Sequence, residues 1–156
     1  MRRKEREVTD TVQIDSIIAQ CDCCRLALAD SGYPYIVPLN FGFVREGGKP
    51  VFYFHSAAEG RKLELIRKNR CAGFELDTNH LLHCHETPCG HTFRFQSIIG
   101  AGSIQLVENP QEKVRALQLI LRHYTGKDDW RLESTAVSQV TVIRLEAEEL
   151  CCKQHD

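Results

Sequence analysis

The stretch Pro34 to Asn69, PYIVPLNFGFVREGGKPVFYFHSAAEGRKLELIRKN, reads as strand, glycine-rich turn, strand, polar turn and helix. From Tyr35 to Val44 the residues alternate at period two. Tyr35, Val37, Leu39, Phe41 and Phe43 fall on one side, and Ile36, Pro38, Asn40, Gly42 and Val44 on the other, the pattern of one half-buried strand. Arg45-Glu46-Gly47-Gly48-Lys49-Pro50 supplies a reversal, because two glycines accept positive φ and Pro50 favours an extended exit. Val51-Phe52-Tyr53-Phe54 then completes a hairpin. After His55-Ser56-Ala57-Ala58-Glu59-Gly60, the residues Leu63, Leu65 and Ile66 alternate with Lys62, Glu64, Arg67 and Lys68 at the spacing of an amphipathic helix.

Two adjacent cations, Arg61 and Lys62, therefore open that helix. The helix dipole and the free N–H groups of the first turn favour negative charge there, so a choice serving only the dipole would be Asp or Glu. A bound anion, most simply a phosphate held by N–H groups and both side chains, reconciles the cations with the position, and Gly60 allows close backbone approach. The same residues also read as a basic surface turn that begins a helix.

Outward from this centre, Thr9, Asp10 or Thr11 caps a first helix through Gln20, carried by Val12, Ile14, Ile17 and Ile18. Cys24 to Ala29 is a strand closed by the turn Asp30-Ser31-Gly32. Cys71 to Leu76 is another, with Cys71 read as a small core residue. Residues 77–91 show no periodicity and are expected to be a loop. Thr92 to Val107 is a long strand, bent at Gly100 or Gly102. Asn109 caps a helix with Pro110 in its first turn, ending at Gly126. Ala136 to Leu145 returns to strand, and the tail from Cys151 is expected to fray. Five or six mainly antiparallel strands without a regular strand-helix repeat favour a small closed barrel with flanking helices over an open α/β sheet.

The 156 residues suit one domain with one sizeable core. A net charge of −1 gives no reason to expect a nucleic-acid partner. Neither an apolar signal core near Met1 nor a membrane-length apolar run is found, so no membrane association and a cytoplasmic location are expected. The eight cysteines are accordingly read as thiols, the vicinal pairs Cys23-Cys24 and Cys151-Cys152 included.

Four motifs occur in order: Pro34-Tyr35-Ile36-Val37-Pro38-Leu39-Asn40-Phe41, then Phe54-His55-Ser56-Ala57, then Gly60-Arg61-Lys62-Leu63-Glu64-Leu65-Ile66, then Phe95-Gln96-Ser97-Ile98-Ile99-Gly100. Together they resemble the pyridoxamine 5′-phosphate oxidase-like split-barrel flavoproteins, and within them the nitroimidazole-resistance branch, from about Val8 to Leu150. The resemblance implies a mainly β, Greek-key-like antiparallel split barrel spanning 1–156 and a flavin mononucleotide (FMN) cofactor. It also implies a twofold homodimer with two flavin sites at its interface. Gly60, Arg61 and Lys62 would hold the phosphate. Val37, Pro38, Leu39, Asn40 and Phe41 would run beside the isoalloxazine, with Phe54, His55, Ser56 and Ser97 as further contacts. By themselves Phe41 and Phe54 read as core aromatics, and Ser97 carries no signal.

His55 matches a histidine that the branch places near the cofactor, where it could pass a proton or a hydrogen bond to reduced flavin or substrate; a histidine at a strand end more often serves structure. The activity implied is reduction of nitroaromatic or other small electrophilic substrates. Gln96 departs from the branch's usual arginine. The chain also lacks the arginine- and tryptophan-bearing C-terminal segment of true pyridoxamine phosphate oxidases, so vitamin B6 oxidation is not expected. Other readings are a flavin- or haem-binding storage or sensor protein without turnover, and a zinc-bearing structural domain. The zinc reading rests on His83, Cys84, His85, Cys89 and His91, whose residue types suit the metal although their spacing matches no standard finger. A substrate-side loop without metal is preferred there.

Overall fold

In the computed structural model, which describes residues 3–155, a short 3-10 turn and strand β1 (Glu7–Val8) lead into helix α1 (Thr11–Gln20). The Asp10 carboxylate caps α1 by accepting the Val12 N–H at 3.2 Å. There follow β2 (Cys24–Ala29), β3 (Pro34–Leu39), β4 (Phe41–Glu46), β5 (Lys49–Ser56), α2 (Arg61–Asn69), β6 (Cys71–His83) and β7 (Thr92–Val107). Helix α3 (Pro110–Thr125), capped by the Asn109 side chain, helix α4 (Ser134–Gln139) and β8 (Thr141–His155) complete the chain. No helix among the described residues is long and apolar enough to cross a membrane.

The strands form one antiparallel sheet in the order β3-β2-β6-β7-β8-β5-β4, with β1 added beside β8. Tyr35 to Val44 is therefore two strands rather than one. Tyr35 to Leu39 pairs with β2, and Phe41 to Glu46 pairs with β5. These are the two ends of the strand order, joined through Asn40 alone, so the sheet must curl until its edges meet there. Its ladder does not continue from β3 to β4, which leaves a split barrel rather than a closed one. The Gly47-Gly48 reversal forms as expected, both residues with positive φ.

Strand β5 is buried on both faces. Phe52 and Phe54 point into the barrel with Phe41, Phe74, Ile98 and Leu145, while Val51 and Tyr53 face α3 beside Val107, Ala116 and Val142. A near-continuous apolar run is what such a two-sided strand requires. The Phe52 ring lies 5.0 Å from Phe74 and 5.3 Å from Phe43, within the range of favourable aromatic pairs. At Gly42 a Cβ would sit 2.6 Å from the Ile120 backbone nitrogen, so the missing side chain lets α3 lie directly on β4.

Other expectations are corrected. Strand β6 continues through residues expected to be a loop, because a bulge hides its periodicity: pairing with β7 jumps from Thr78–Gln96 to Leu81–Arg94, with Asn79 at φ 57°. Only the segment from Cys84 to His91 is loop, with a 3-10 turn at Pro88–Gly90. Ser134–Gln139 is helical where a strand was expected from Ala136, since Val137 turns one apolar residue inward. The tail does not fray: Cys152 is held between Val8 of β1 and Ile98 of β7. Cys71 is exposed at the start of β6 rather than buried.

A buried hydroxyl and a charge network tie α3 to the sheet. The Tyr53 hydroxyl reaches Glu112 at 3.0 Å and Glu46 at 3.3 Å, and Arg144 bonds Glu46 and Glu146 at 3.0 Å each. Burial, with Glu112 as acceptor, pushes the Tyr53 phenol up to about 12. For Glu46 burial acts upward, but the Arg144 bond, the Arg115 and Arg144 charges and the Tyr53 bond outweigh it and hold the carboxyl below its ordinary value of 4.5.

Two outcomes are expected. A Cβ at Gly102 would lie 1.9 Å from the Glu146 carbonyl oxygen, whereas at Gly73 the nearest atom is 3.7 Å away. Gly102→Ala should therefore cost roughly 1–3 kcal/mol in urea unfolding, while Gly73→Ala stays within about 0.5 kcal/mol. Because the folded-state pKa of Glu46 is depressed, its contribution is fully present above 4.5 and is lost as pH falls below that value. The urea midpoint should decline over that acid range, and less steeply in Glu46→Gln.

Candidate functional site

The end of β5 and the start of α2 bring most of the expected polar residues together. His55 pairs with Val142 and is exposed, whereas Ser56 pairs with Thr141 and turns inward. Ala57 to Gly60 are exposed, and Gly60, at φ 139°, is the residue from which α2 begins. Its carbonyl accepts the Leu63 and Glu64 N–H groups. Leu63, Leu65 and Ile66 are buried, so packing of the helix stripe fixes where its N-terminus points. The first-turn N–H groups have no intrahelical acceptor.

Arg61 is anchored rather than free. Its Nε donates to Asp30 Oδ2 at 2.8 Å, its Nη2 contacts the same oxygen, and its guanidinium carbon lies 5.1 Å from the centre of the Tyr35 ring. Asp30 also accepts the Ser31 N–H at 2.7 Å; that bond first, and Arg61 second, hold its carboxyl below the usual range. Asp30 and Tyr35 are the residues that sequence reasoning missed in this role. Thirty-one positions separate Asp30 from Arg61, and nothing in the local pattern links them. The guanidinium keeps further donors on its exposed side, since five N–H groups are present and Asp30 engages only part of the fork.

Ser56 supplies the most pointed feature. It is 5% exposed, and its Oγ is buried without a hydrogen-bond partner. Buried hydroxyls are almost always satisfied, so an orphan four residues before a helix N-terminus with Arg61 and Lys62 fits a site completed by an oxyanion. The residues present therefore suit a phosphate group.

The remaining expected residues divide by face. Along β3, Val37 and Leu39 are half-buried against the core, while Pro38 and Asn40 are exposed. Phe41 and Phe54, directly opposite each other, are fully buried. The Phe41 N–H donates to the Tyr124 hydroxyl at 3.1 Å, and its ring lies 4.3 Å from His123, so both belong to the protein's own packing. Ser97 stands apart. It lies on β7 opposite Asp77 and Lys153, whereas His55 reaches β7 through Val142 at Val107. Ten residues of β7 separate the two positions, roughly 33 Å of strand. Ser97 and His55 thus sit near opposite ends of β7's pairing with β8.

The histidine- and cysteine-rich loop closes on itself around Thr87. The Thr87 N–H donates to His85 Nδ1 at 3.2 Å, and His91 Nδ1 donates to the Thr87 carbonyl at 3.1 Å. Among the described residues no three His, Cys, Asp or Glu side chains gather as a metal ion would require. All eight cysteines are free thiols.

This split barrel, with a cationic helix start beside an orphaned hydroxyl, defines a class that comparison identifies directly. Residues 10–154 match the model of the pyridoxamine 5′-phosphate oxidase family. The chain belongs to that family. A candidate 5-nitroimidazole antibiotic resistance protein from Bacteroides thetaiotaomicron is 32% identical over 95% of this chain and 86% of its own, with a TM-score of 0.81. The flavocytochrome Anf3 of Azotobacter vinelandii has a TM-score of 0.80 at 17% identity, over 100% of this chain and 72% of its own. An FAD- and haem-binding protein of Mycobacterium smegmatis also scores 0.80, at 15% identity over 97% and 74%. The last two likenesses are of fold. A comparison with curated protein sequences finds no match.

Ser56→Ala removes a buried hydroxyl that has no partner. It should leave the cofactor-free protein as stable or up to about 1 kcal/mol more stable in thermal unfolding. A loss of stability would mean that the hydroxyl is already satisfied in the free protein.

Proposed function

We propose that this chain binds flavin mononucleotide with the phosphate at the N-terminus of α2, and that the bound flavin reduces small electrophilic substrates, nitroaromatics among them. The observation that carries this reading is the orphaned Ser56 hydroxyl beside Gly60, Arg61 and Lys62. The 32% likeness to a candidate nitroimidazole resistance protein supports the substrate class, and the flavocytochrome and FAD- and haem-binding relatives support a flavin.

In this reading the first-turn N–H groups of α2, Arg61, Lys62 and Ser56 bind the phosphate, with Asp30 and Tyr35 orienting the Arg61 guanidinium. Exposed Pro38 and Asn40 offer the outer side of β3 to the ring system, and Val37 and Leu39 fix that strand against the core. Phe41 and Phe54 act behind it as packing. His55, exposed beside Ser56, holds or delivers a proton at its imidazole where substrate reaches the site. The flavin, when bound, supplies the electron transfer that protein side chains do not.

Ser97 enters from a second copy. Its separation from His55 along β7 supports a twofold homodimer, in which the expected residues would join in one site. The free thiols suit a reducing compartment such as the cytoplasm.

Protein purified without added cofactor should be a dimer by light scattering, carry about one FMN per chain and show the bands of oxidised flavin. Arg61→Ala with Lys62→Ala should weaken FMN binding by roughly a hundredfold, two charge-assisted contacts being lost. After photoreduction, a 5-nitroimidazole should reoxidise the flavin, and His55→Ala should slow that step more than it weakens FMN binding. A colourless monomer that cannot be reconstituted would overturn the proposal, as would unchanged FMN affinity in the double variant.

A further inference from the structure

The last turn of α3 closes on the one-residue junction between β3 and β4. His123 Nε2 donates to the Cys21 carbonyl at 2.7 Å, and the Tyr124 hydroxyl donates to the next carbonyl, that of Asp22, at 2.8 Å. The two rings meet edge to face with centres 4.7 Å apart, and the His123 ring packs on Phe41. The segment between α1 and β2 thus holds Tyr124 in place from 102 positions away.

The hydroxyl of Tyr124 is fully used. A neutral phenol has one proton to donate and lone pairs to accept with. Its proton is committed to Asp22, because a carbonyl can only accept. It accepts the Phe41 N–H at 3.1 Å. It also bonds the Asn40 side chain, and burial keeps the phenol above its ordinary value of 10 although the Asn40 and Phe41 bonds both pull it down. With the phenol proton spent, Asn40 has to donate to it through Nδ2, and Oδ1 of the same amide is turned away from Tyr124. Asn40 is exposed at the end of β3, so that acceptor stands on the open side of the strand. The Phe41 N–H, engaged by Tyr124, is not free to serve the acceptor atoms of a flavin ring.

We propose that Tyr124 is a positioning residue, which fixes Asn40 so that its Oδ1 accepts a hydrogen bond from N3–H of the flavin. The inference rests on the flavin reading above and adds to it the ring edge that Asn40 meets. An oxidised isoalloxazine carries one N–H donor, at N3, while N1, N5, O2 and O4 accept. An acceptor held in one orientation therefore selects the pyrimidine edge.

FMN and its N3-methyl analogue, titrated into cofactor-free protein and followed by flavin fluorescence, test this role. Wild type should bind FMN more tightly than the analogue. Tyr124→Phe should weaken FMN about fivefold, as for one hydrogen bond, and the analogue by less than about twofold. Asn40→Ala should act in the same way, and the double variant should lose no more than either single one. The Tyr124 ring is 41% exposed and the change removes a single oxygen, so the variant keeps its packing. In the cofactor-free variant the Phe41 amide proton should exchange faster than in wild type. An equal loss for both flavins would show a purely structural tie and overturn the proposal, as would a loss for neither, additive losses in the double variant or an unchanged Phe41 amide. A wild type that binds neither flavin would overturn the flavin reading and this role with it, whereas a wild type that binds FMN but does not distinguish it from the analogue would overturn this role alone.

Discussion

A single residue links the two edges of the sheet. Because β3 and β4 lie at opposite ends of the strand order and are joined through Asn40, the sheet has to roll up, and the interior of the roll becomes the core. The hairpin that follows then carries the largest buried side chains, Phe41, Phe52, Tyr53 and Phe54, each fully enclosed. Complete burial of an aromatic of this size contributes on the order of 1.5–3 kcal/mol relative to exposure. Close approaches within the sheet and of α3 to it fall on glycines that admit no Cβ. Gly100 and Gly102 sit where β7 runs against the β8 bulge, and Gly42 where α3 meets β4.

The same roll positions the candidate site. Helix α2 must cover the core with Leu63, Leu65 and Ile66, and in doing so it aims a positive helix end, already carrying Arg61 and Lys62, towards the start of β3. Asp30 neutralises part of that charge and holds the guanidinium over Tyr35. Among the described residues nothing satisfies the Ser56 hydroxyl. Positive charge beside an unused hydroxyl is an arrangement suited to an oxyanion, and it accounts for cations where the helix dipole alone would favour acids.

Strands with clean alternation and helices with caps were legible from sequence. Asp10, one of three candidate caps, and Asn109 cap their helices, and Thr92 to Val107 is one strand over that whole span. The misreadings have specific causes. Tyr35 to Val44 keeps perfect alternation across Asn40, so the change of partner from β2 to β5 leaves no mark on the pattern. Asn79 and His80 shift the phase of β6, so its second half looks aperiodic. The tail after Leu150 has a weak pattern of its own and is ordered by pairing with β1 and β7.

Sequence by itself therefore determined the local elements, the cationic helix start and the family, because periodicity, turn chemistry and motif order are properties of neighbouring residues. Tertiary structure decided which strands pair, that Arg61 answers Asp30, that Phe41 and Phe54 are packing, that Ser56 is orphaned, and that Ser97 lies far along β7 from His55. Each of these depends on contacts between residues distant in the chain, whose free energy comes from burial and long-range hydrogen bonding and is invisible to any local window.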